Sequence, residues 1–168
     1  MVLDRPNPLG GVVAEGSALE RKFSSFVGRA EIPMRHGLTI GELASHCNAA
    51  LDIACELHVV EMRNWQRSML WPDTGLAWVP PSPNLPRANG AMVYPGQVLL
   101  EGTNVSEGRG TTTPFEQFGA PWIDARQLRD ALPDIEGARL RTITFEPTFQ
   151  KWRGEPCHGL FIQIGRAS

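Results

Sequence analysis

Short apolar runs alternate along the chain with long polar stretches broken by Pro and Gly, and the elements lie where apolar positions take up a period. Val2 and Leu3 read as the end of a buried strand, followed by a turn-rich loop over residues 4–11. Residues 12–38 are irregular, extended around Pro33. Thr39 and Glu42 form a T-x-x-E capping box, and Leu43, Cys47, Ala50 and Leu51 follow at helical spacing, which predicts a helix over 40–52. "CELHVVEM" reads as a strand through Leu57, Val59 and Val60. Residues 65–84, rich in Trp and Pro, form a packed irregular loop. The pattern over 86–100 predicts a helix interrupted at Pro95 and Gly96. Further on, Asp124 caps a helix with Gln127 as its N3 partner and Leu128 and Leu132 on its buried face; Pro133 stops it. "ARLRTITFEP" and "GLFIQI" alternate and read as antiparallel neighbours.

These elements sum to an α+β fold, with a small mixed or antiparallel sheet, a few helices and long ordered loops. A strand with nothing before it to pair with, and another close to the far end, predict a piece cut from a longer protein. Such a piece exposes apolar surface near Val2 and Leu3 and near residues 161–164, and can associate through its cut edges as a homo-oligomer.

One segment has no apolar period: "EGTNVSEGRGTTTPFEQFGAPW", residues 101–122. Ordered loops of this length are usually functional. Glu101 and Glu107 are candidates for the paired carboxylates of glycoside hydrolysis, one donating a proton to the leaving oxygen and one activating water or stabilising cationic charge. Turn-capping carboxylates facing water are the alternative. Glu116 and Asp124 lie close in sequence. Arg109 can grip a ligand carboxylate in a bidentate fork or pair with Glu107 or Glu116. Thr103 and residues 111–113, Thr111 among them, offer hydroxyls. Asn7, Asn84 and Asn104 sit in turns, bonding either their own backbone or a ligand amide. Trp65, Trp71, Trp78 and Trp122 can stack on sugar rings or anchor loops. Asp4, Arg5 and Asn7 follow a strand end, where α/β sheets place ligands. Residues 101–122 are expected to line one concave site together with residues 4–7 and 83–84.

Composition narrows this little. A net charge of -2 gives no basic footprint for nucleic acid, and no apolar run is long enough to span a membrane. Cys47, Cys55 and Cys157 lack zinc-type spacing and read as small apolar residues, so no metal is expected.

"LDRPNPLGG", "RHGLTIGELA", "VPPSPN", "YPGQVLLEGTNVSEGRGTTTPFEQFGAPW" and "CHG" occur in this order. Together they make the chain resemble the exo-β-N-acetylmuramidase family of glycoside hydrolases, formerly a domain of unknown function. The resemblance implies a Rossmann-like N-terminal domain, of which residues 1–11 hold the last strand, and a C-terminal substrate-binding domain, residues 12–168, with the site in the cleft between them. It implies release of N-acetylmuramic acid from non-reducing ends of peptidoglycan fragments, with no cofactor, and an acid/base glutamate in the missing N-terminal half. Asn7 or Asn104 would then meet the acetamido group, and Arg109, Arg5 or Arg35 the lactyl carboxylate. His36, Asn84, Thr111, Glu116 and Trp122 complete the candidate sugar contacts. An exported or a cytoplasmic location fits equally. Two alternatives stay open: a non-catalytic carbohydrate-binding or interaction module, and a hydrolase of another class using Glu101 and Glu107.

Overall fold

The computed structural model describes residues 1–165. They form an α+β fold in two compact units, Met1–Ala77 and Trp78–Ser168.

In the first unit, β1 (Val2–Leu3) pairs in parallel with β2 (Val59–Val60), Val2 against Val59 and Leu3 against Val60. The expected strand over "CELHVVEM" thus narrows to its two β-branched residues. Helix α1 (Ile40–Ala50) starts as its capping box predicts: the Glu42 amide donates to Thr39 Oγ1 at 3.2 Å, and the Thr39 amide donates to Glu42 Oε2 at 3.0 Å. Asp4 ties β1 to this helix. Its Oδ1 accepts from the Gly41 amide at 2.8 Å, and its Oδ2 accepts from Thr39 Oγ1 at 3.0 Å. Residue 41 must be glycine for so close a contact, because a Cβ there would lie 2.5 Å from Val59 Cγ1. Residues 12–38 are irregular apart from a single turn of 3-10 helix at Arg21–Phe23.

The second unit is built on a three-stranded antiparallel sheet in the order β3 (Gln117–Ala120), β5 (Cys157–Ile164), β4 (Ala138–Phe145). The two alternating segments pair over their full length, Ala138 against Ile164 through to Phe145 against Cys157. Because β5 lies in the middle of the sheet, the expected bare edge is covered at Phe161, which pairs with both Gln117 and Arg141, and at Ile162, whose amide donates to the Glu116 carbonyl at 2.7 Å, while Gln163 and Ile164 pair with β4 alone. At the other expected position, Leu3 is 63% exposed. Helix α2 (Ala88–Gln97) runs through Pro95, and the break comes after Gln97, where a 3-10 helix takes over at Val98–Gly102. Helix α3 (Ala125–Ala131) packs on β4 and β5, with the Asp124 side chain accepting from the Arg126 and Gln127 amides at 3.0 Å each.

Strand β3 lies inside the segment read as an irregular loop. Gly119 sits opposite Gly159, and a Cβ on Gly159 would stand 1.9 Å from the Phe118 carbonyl oxygen, so the two chains approach through paired glycines. Around this strand lies the core of the unit: Phe115, Ala120, Cys157 and Leu160, together with polar Ser106, Glu107, Glu116 and Gln117.

Candidate active site

Burying carboxylates requires partners, and the second unit supplies them. Glu107 is 3% exposed. Its Oε1 lies 3.0 Å from Arg109 Nε, and its Oε2 lies 3.1 Å from Lys151 Nζ. The same ammonium donates to the Leu100 and Val105 carbonyls at 2.8 and 3.1 Å, so all three of its protons have acceptors. Arg109 also donates through Nη2 to Glu101 and lies over the Phe115 ring, 5.1 Å from its centroid. Phe115 in turn meets Tyr94 edge-to-face at 4.8 Å. Burial, and then the Glu101 charge, push the Tyr94 phenol above its ordinary value against the opposing pull of Arg109.

Glu116, also 3% exposed, has one dedicated partner. Arg87 Nη2 donates to both of its oxygens at 2.8 Å each, and Arg87 Nε donates to Oε1 at 3.1 Å. Arg109 therefore pairs with Glu101 and Glu107, while the pairing weighed between Arg109 and Glu116 belongs to Arg87 instead. Gln117 Nε2 donates to Thr111 Oγ1 at 2.7 Å, and that hydroxyl donates to the Gly108 carbonyl at 2.6 Å. Gly108 and Gly110 have φ of 80° and 82°. A Cβ would lie 2.8 Å from Gln117 Cγ at the first and 2.7 Å from the Phe149 amide nitrogen at the second. Close packing within the protein accounts for these glycines. Much of the polar segment thus folds onto itself: Glu101, Glu107, Arg109, Thr111 and Glu116 all hold protein partners.

Sequence reading missed Arg87 and Lys151. Lys151 is one of only two lysines in the chain and lies between Gln150 and Trp152, a local signal too slight to connect it with a glutamate 44 positions earlier.

Other candidates also hold structural posts. Asn7 Nδ2 donates to the Leu38 carbonyl at 2.9 Å, and its Oδ1 accepts from the Leu9 amide at 3.0 Å, which braces the loop after β1. His36 Nδ1 accepts from the Leu38 amide at 3.0 Å, and burial lowers the imidazole's pKa. Arg35 pairs with Glu15 at 2.6 Å. The Asn104 carbonyl accepts from Trp152 Nε1 at 2.7 Å. Asn84 is partly buried, and its amide donates to Ser82 Oγ at 3.2 Å.

Two hollows among the described residues are bordered by candidate residues. In the second unit, Trp122 is 54% exposed and packs edge-to-face on Trp152 at 4.9 Å. It borders a shallow depression of about 570 Å³ with Arg126, Thr142, Thr144 and His158. In the first unit, a cleft of about 550 Å³ opens where β1 and β2 end, between Asp4, Arg5 and Pro6 on one side and Met62, Arg63 and Trp65 on the other. Asp4 and Arg5 both border this cleft, and Asn7 is not among its lining residues. Among the described residues, no group of three His, Cys, Asp or Glu stands close enough to hold a metal ion. None of the described helices is long and apolar enough to cross a membrane.

Residues 1–89 match the family model of exo-beta-N-acetylmuramidase NamZ, N-terminal, and residues 92–168 match that of its C-terminal part. The chain belongs to this family. It is 49% identical over 166 residues to the peptidoglycan beta-N-acetylmuramidase NamZ of Bacillus subtilis (strain 168), covering 98% of this chain and 40% of that protein. A crystal structure of a DUF1343 family protein from Bacteroides fragilis superposes with a TM-score of 0.86 at 38% identity, covering 96% of this chain and 43% of that one. A second DUF1343 protein from the same organism gives 0.73 at 32% identity, covering 99% and 44%. The chain therefore spans less than half the length of these family members. The resemblance placed a domain join after residue 11; the two family models meet between residues 89 and 92, and the compact units meet between Ala77 and Trp78.

Proposed function

We propose that this chain is the sugar-holding part of a β-N-acetylmuramidase that releases N-acetylmuramic acid from peptidoglycan fragments. The observation that carries this reading is the 49% identity, across 98% of the chain, to a protein of that activity. In this reading β1 and β2 both belong to the N-terminal part, which then reaches beyond the residues 1–11 that the resemblance implies, and the cleft beyond their carboxyl ends receives the sugar, as such ends do in α/β sheets.

The polar segment has a different task here. Each oxygen of Glu107 and of Glu116 faces a cation within 3.1 Å. Carboxylates so engaged anchor the fold. Glu101 orients Arg109 from the rim of the same network. The acid–base groups of the reaction then lie in the part of the family's length that this chain does not span.

A chromogenic β-N-acetylmuramide tests the proposal. The full-length protein is expected to release N-acetylmuramic acid from it and to leave the matching N-acetylglucosaminide intact, and this chain alone is expected to bind without hydrolysing. Hydrolysis by this chain alone, or full-length turnover of the glucosaminide only, would overturn it.

The half-exposed Trp122 beside Thr142, Thr144 and His158 favours a second reading, a carbohydrate-binding module without chemistry of its own. Absence of muramide turnover in the full-length protein, with retained glycan binding lost in Trp122→Ala, would establish that reading instead.

A further inference from the structure

We propose that the cleft beyond β1 and β2 is a carboxylate-reading site, in which Arg5 and Arg63 grip the lactyl carboxylate that distinguishes N-acetylmuramic acid from N-acetylglucosamine. This deepens the muramidase reading and rests on it.

The two strands are parallel, so both carboxyl ends point the same way. One strand leads into Asp4, Arg5 and Pro6, the other through Glu61 into Met62, Arg63 and Asn64, and residues from both exits line the cleft. Each exit carries one guanidinium. Asn64 turns the second exit at a φ of 62°, a left-handed conformation that asparagine tolerates better than most residues.

The two arginines differ from the others considered for this role. Arg109 is engaged by Glu101 and Glu107, and Arg35 by Glu15 and the Leu9 carbonyl. Among the described residues, neither Arg5 nor Arg63 forms a salt bridge, and both are exposed. Two carboxylates border the same cleft, and each is engaged by backbone amides. Asp4 accepts from Gly41, Thr39 and the Arg5 amide, and Asp73 Oδ2 accepts from the Leu70 amide at 3.0 Å. Protein hydrogen bonds thus hold both acids in place, while among the described residues neither guanidinium has an ion-pair partner.

The rest of the lining suits an amphipathic anion better than a small inorganic one. Met62, Trp65 and Met69 give an apolar wall, and about 550 Å³ lies within the range of small-molecule pockets. Trp65 adds a buried indole N–H with no acceptor among the described residues. A sugar bearing a lactyl ether presents C–H faces and a methyl group to such a wall and one carboxylate to the arginines. A planar fork holds both carboxylate oxygens where a single ammonium holds one.

Calorimetric titration of this chain with N-acetylmuramic acid and with N-acetylglucosamine tests the assignment in wild type, Arg5→Gln and Arg63→Gln. Wild type is expected to prefer the muramic sugar. A charge-assisted hydrogen bond corresponds to a factor of about ten to a hundred in affinity, so each variant should lose about tenfold or more for N-acetylmuramic acid and keep its affinity for N-acetylglucosamine. Both side chains are exposed, so unchanged thermal melts should accompany the loss. A preference that survives in both variants, or an equal loss for both sugars, overturns the carboxylate-reading site and leaves the muramidase reading standing. A wild type that binds both sugars alike overturns the site alone; one that binds neither overturns the site together with the sugar-holding role it rests on.

Discussion

Arg109 Nε stands 3.0 Å from Glu107 Oε1, and Lys151 Nζ stands 3.1 Å from the other oxygen of the same carboxylate. One buried acid is thereby clamped between a cation two positions away in sequence and another beyond the β3 and β4 strands. Removing one member of a buried ion pair leaves the other charged and unmatched, at a cost of about 3–5 kcal/mol. Arg109 and Lys151 are 24% and 26% exposed, which places Glu107→Gln near the low end, at about 3 kcal/mol. Denaturant unfolding should show this loss, and Lys151→Met combined with Glu107→Gln should cost less than the sum of the two single changes. Additive single effects would mean that the contact is not energetically coupled.

Gly41 carries the junction between β1 and α1. A Cβ there would meet Val59 Cγ1 at 2.5 Å and Asp4 Cγ at 3.0 Å, so Gly41→Ala forces the strand pair and the helix start apart. Overpacking of this kind costs about 1–3 kcal/mol. Asp4→Ala removes the acceptor for the Gly41 amide and for the Thr39 hydroxyl and should cost about 0.5–2 kcal/mol, as lost helix caps do. Urea midpoints of the two variants check both values; a Gly41→Ala chain as stable as wild type would contradict the close approach.

Cys157 is buried, and burial, followed by the neighbouring Glu155 charge, pushes its thiol from an ordinary 9.0 up to about 11. Because the folded state holds this proton more tightly than the unfolded chain, the associated stability is fully present below pH 9 and is lost as the pH rises toward about 11. Alkylation of the folded chain with iodoacetamide at pH 8, followed by mass spectrometry, should modify exposed Cys55 first and Cys157 last. Modification of Cys157 at the rate of Cys55 would contradict its burial.

The parts of the fold with local causes could be read from the sequence. Thr39 and Glu42 lie three positions apart and form the box that their spacing predicts, Asp124 caps α3, and the alternation around Leu140 and Ile143 gives β4. Strand β3 could not be read in this way, because Gln117, Gly119 and Ala120 are all buried and no polar face remains to set a period of two. The fate of the acidic residues was hidden for a related reason. Exposure is the usual state of a glutamate, and the groups that reverse it at Glu116 and Glu107 lie 29 and 44 positions away, at Arg87 and Lys151. The proposed strand-end site was half legible: Arg5 lies two positions after β1, but its sharing a cleft with Arg63 depends on β1 and β2 lying side by side.

In the proposed function, the acids of residues 101–122 hold the fold and do not perform the reaction. Glu101 separates these roles best, since its side chain is 39% exposed and Glu107 keeps a second cation, Lys151, that does not touch Glu101. Loss of a general acid or base costs about a hundredfold to ten-thousandfold in rate. Turnover of a chromogenic β-N-acetylmuramide by the full-length protein, wild type against Glu101→Gln, should therefore fall by less than about tenfold, with the melting temperature only slightly lowered. A fall of a hundredfold or more, in a variant that melts and binds N-acetylmuramic acid like wild type, would contradict the account and make Glu101 a catalytic residue.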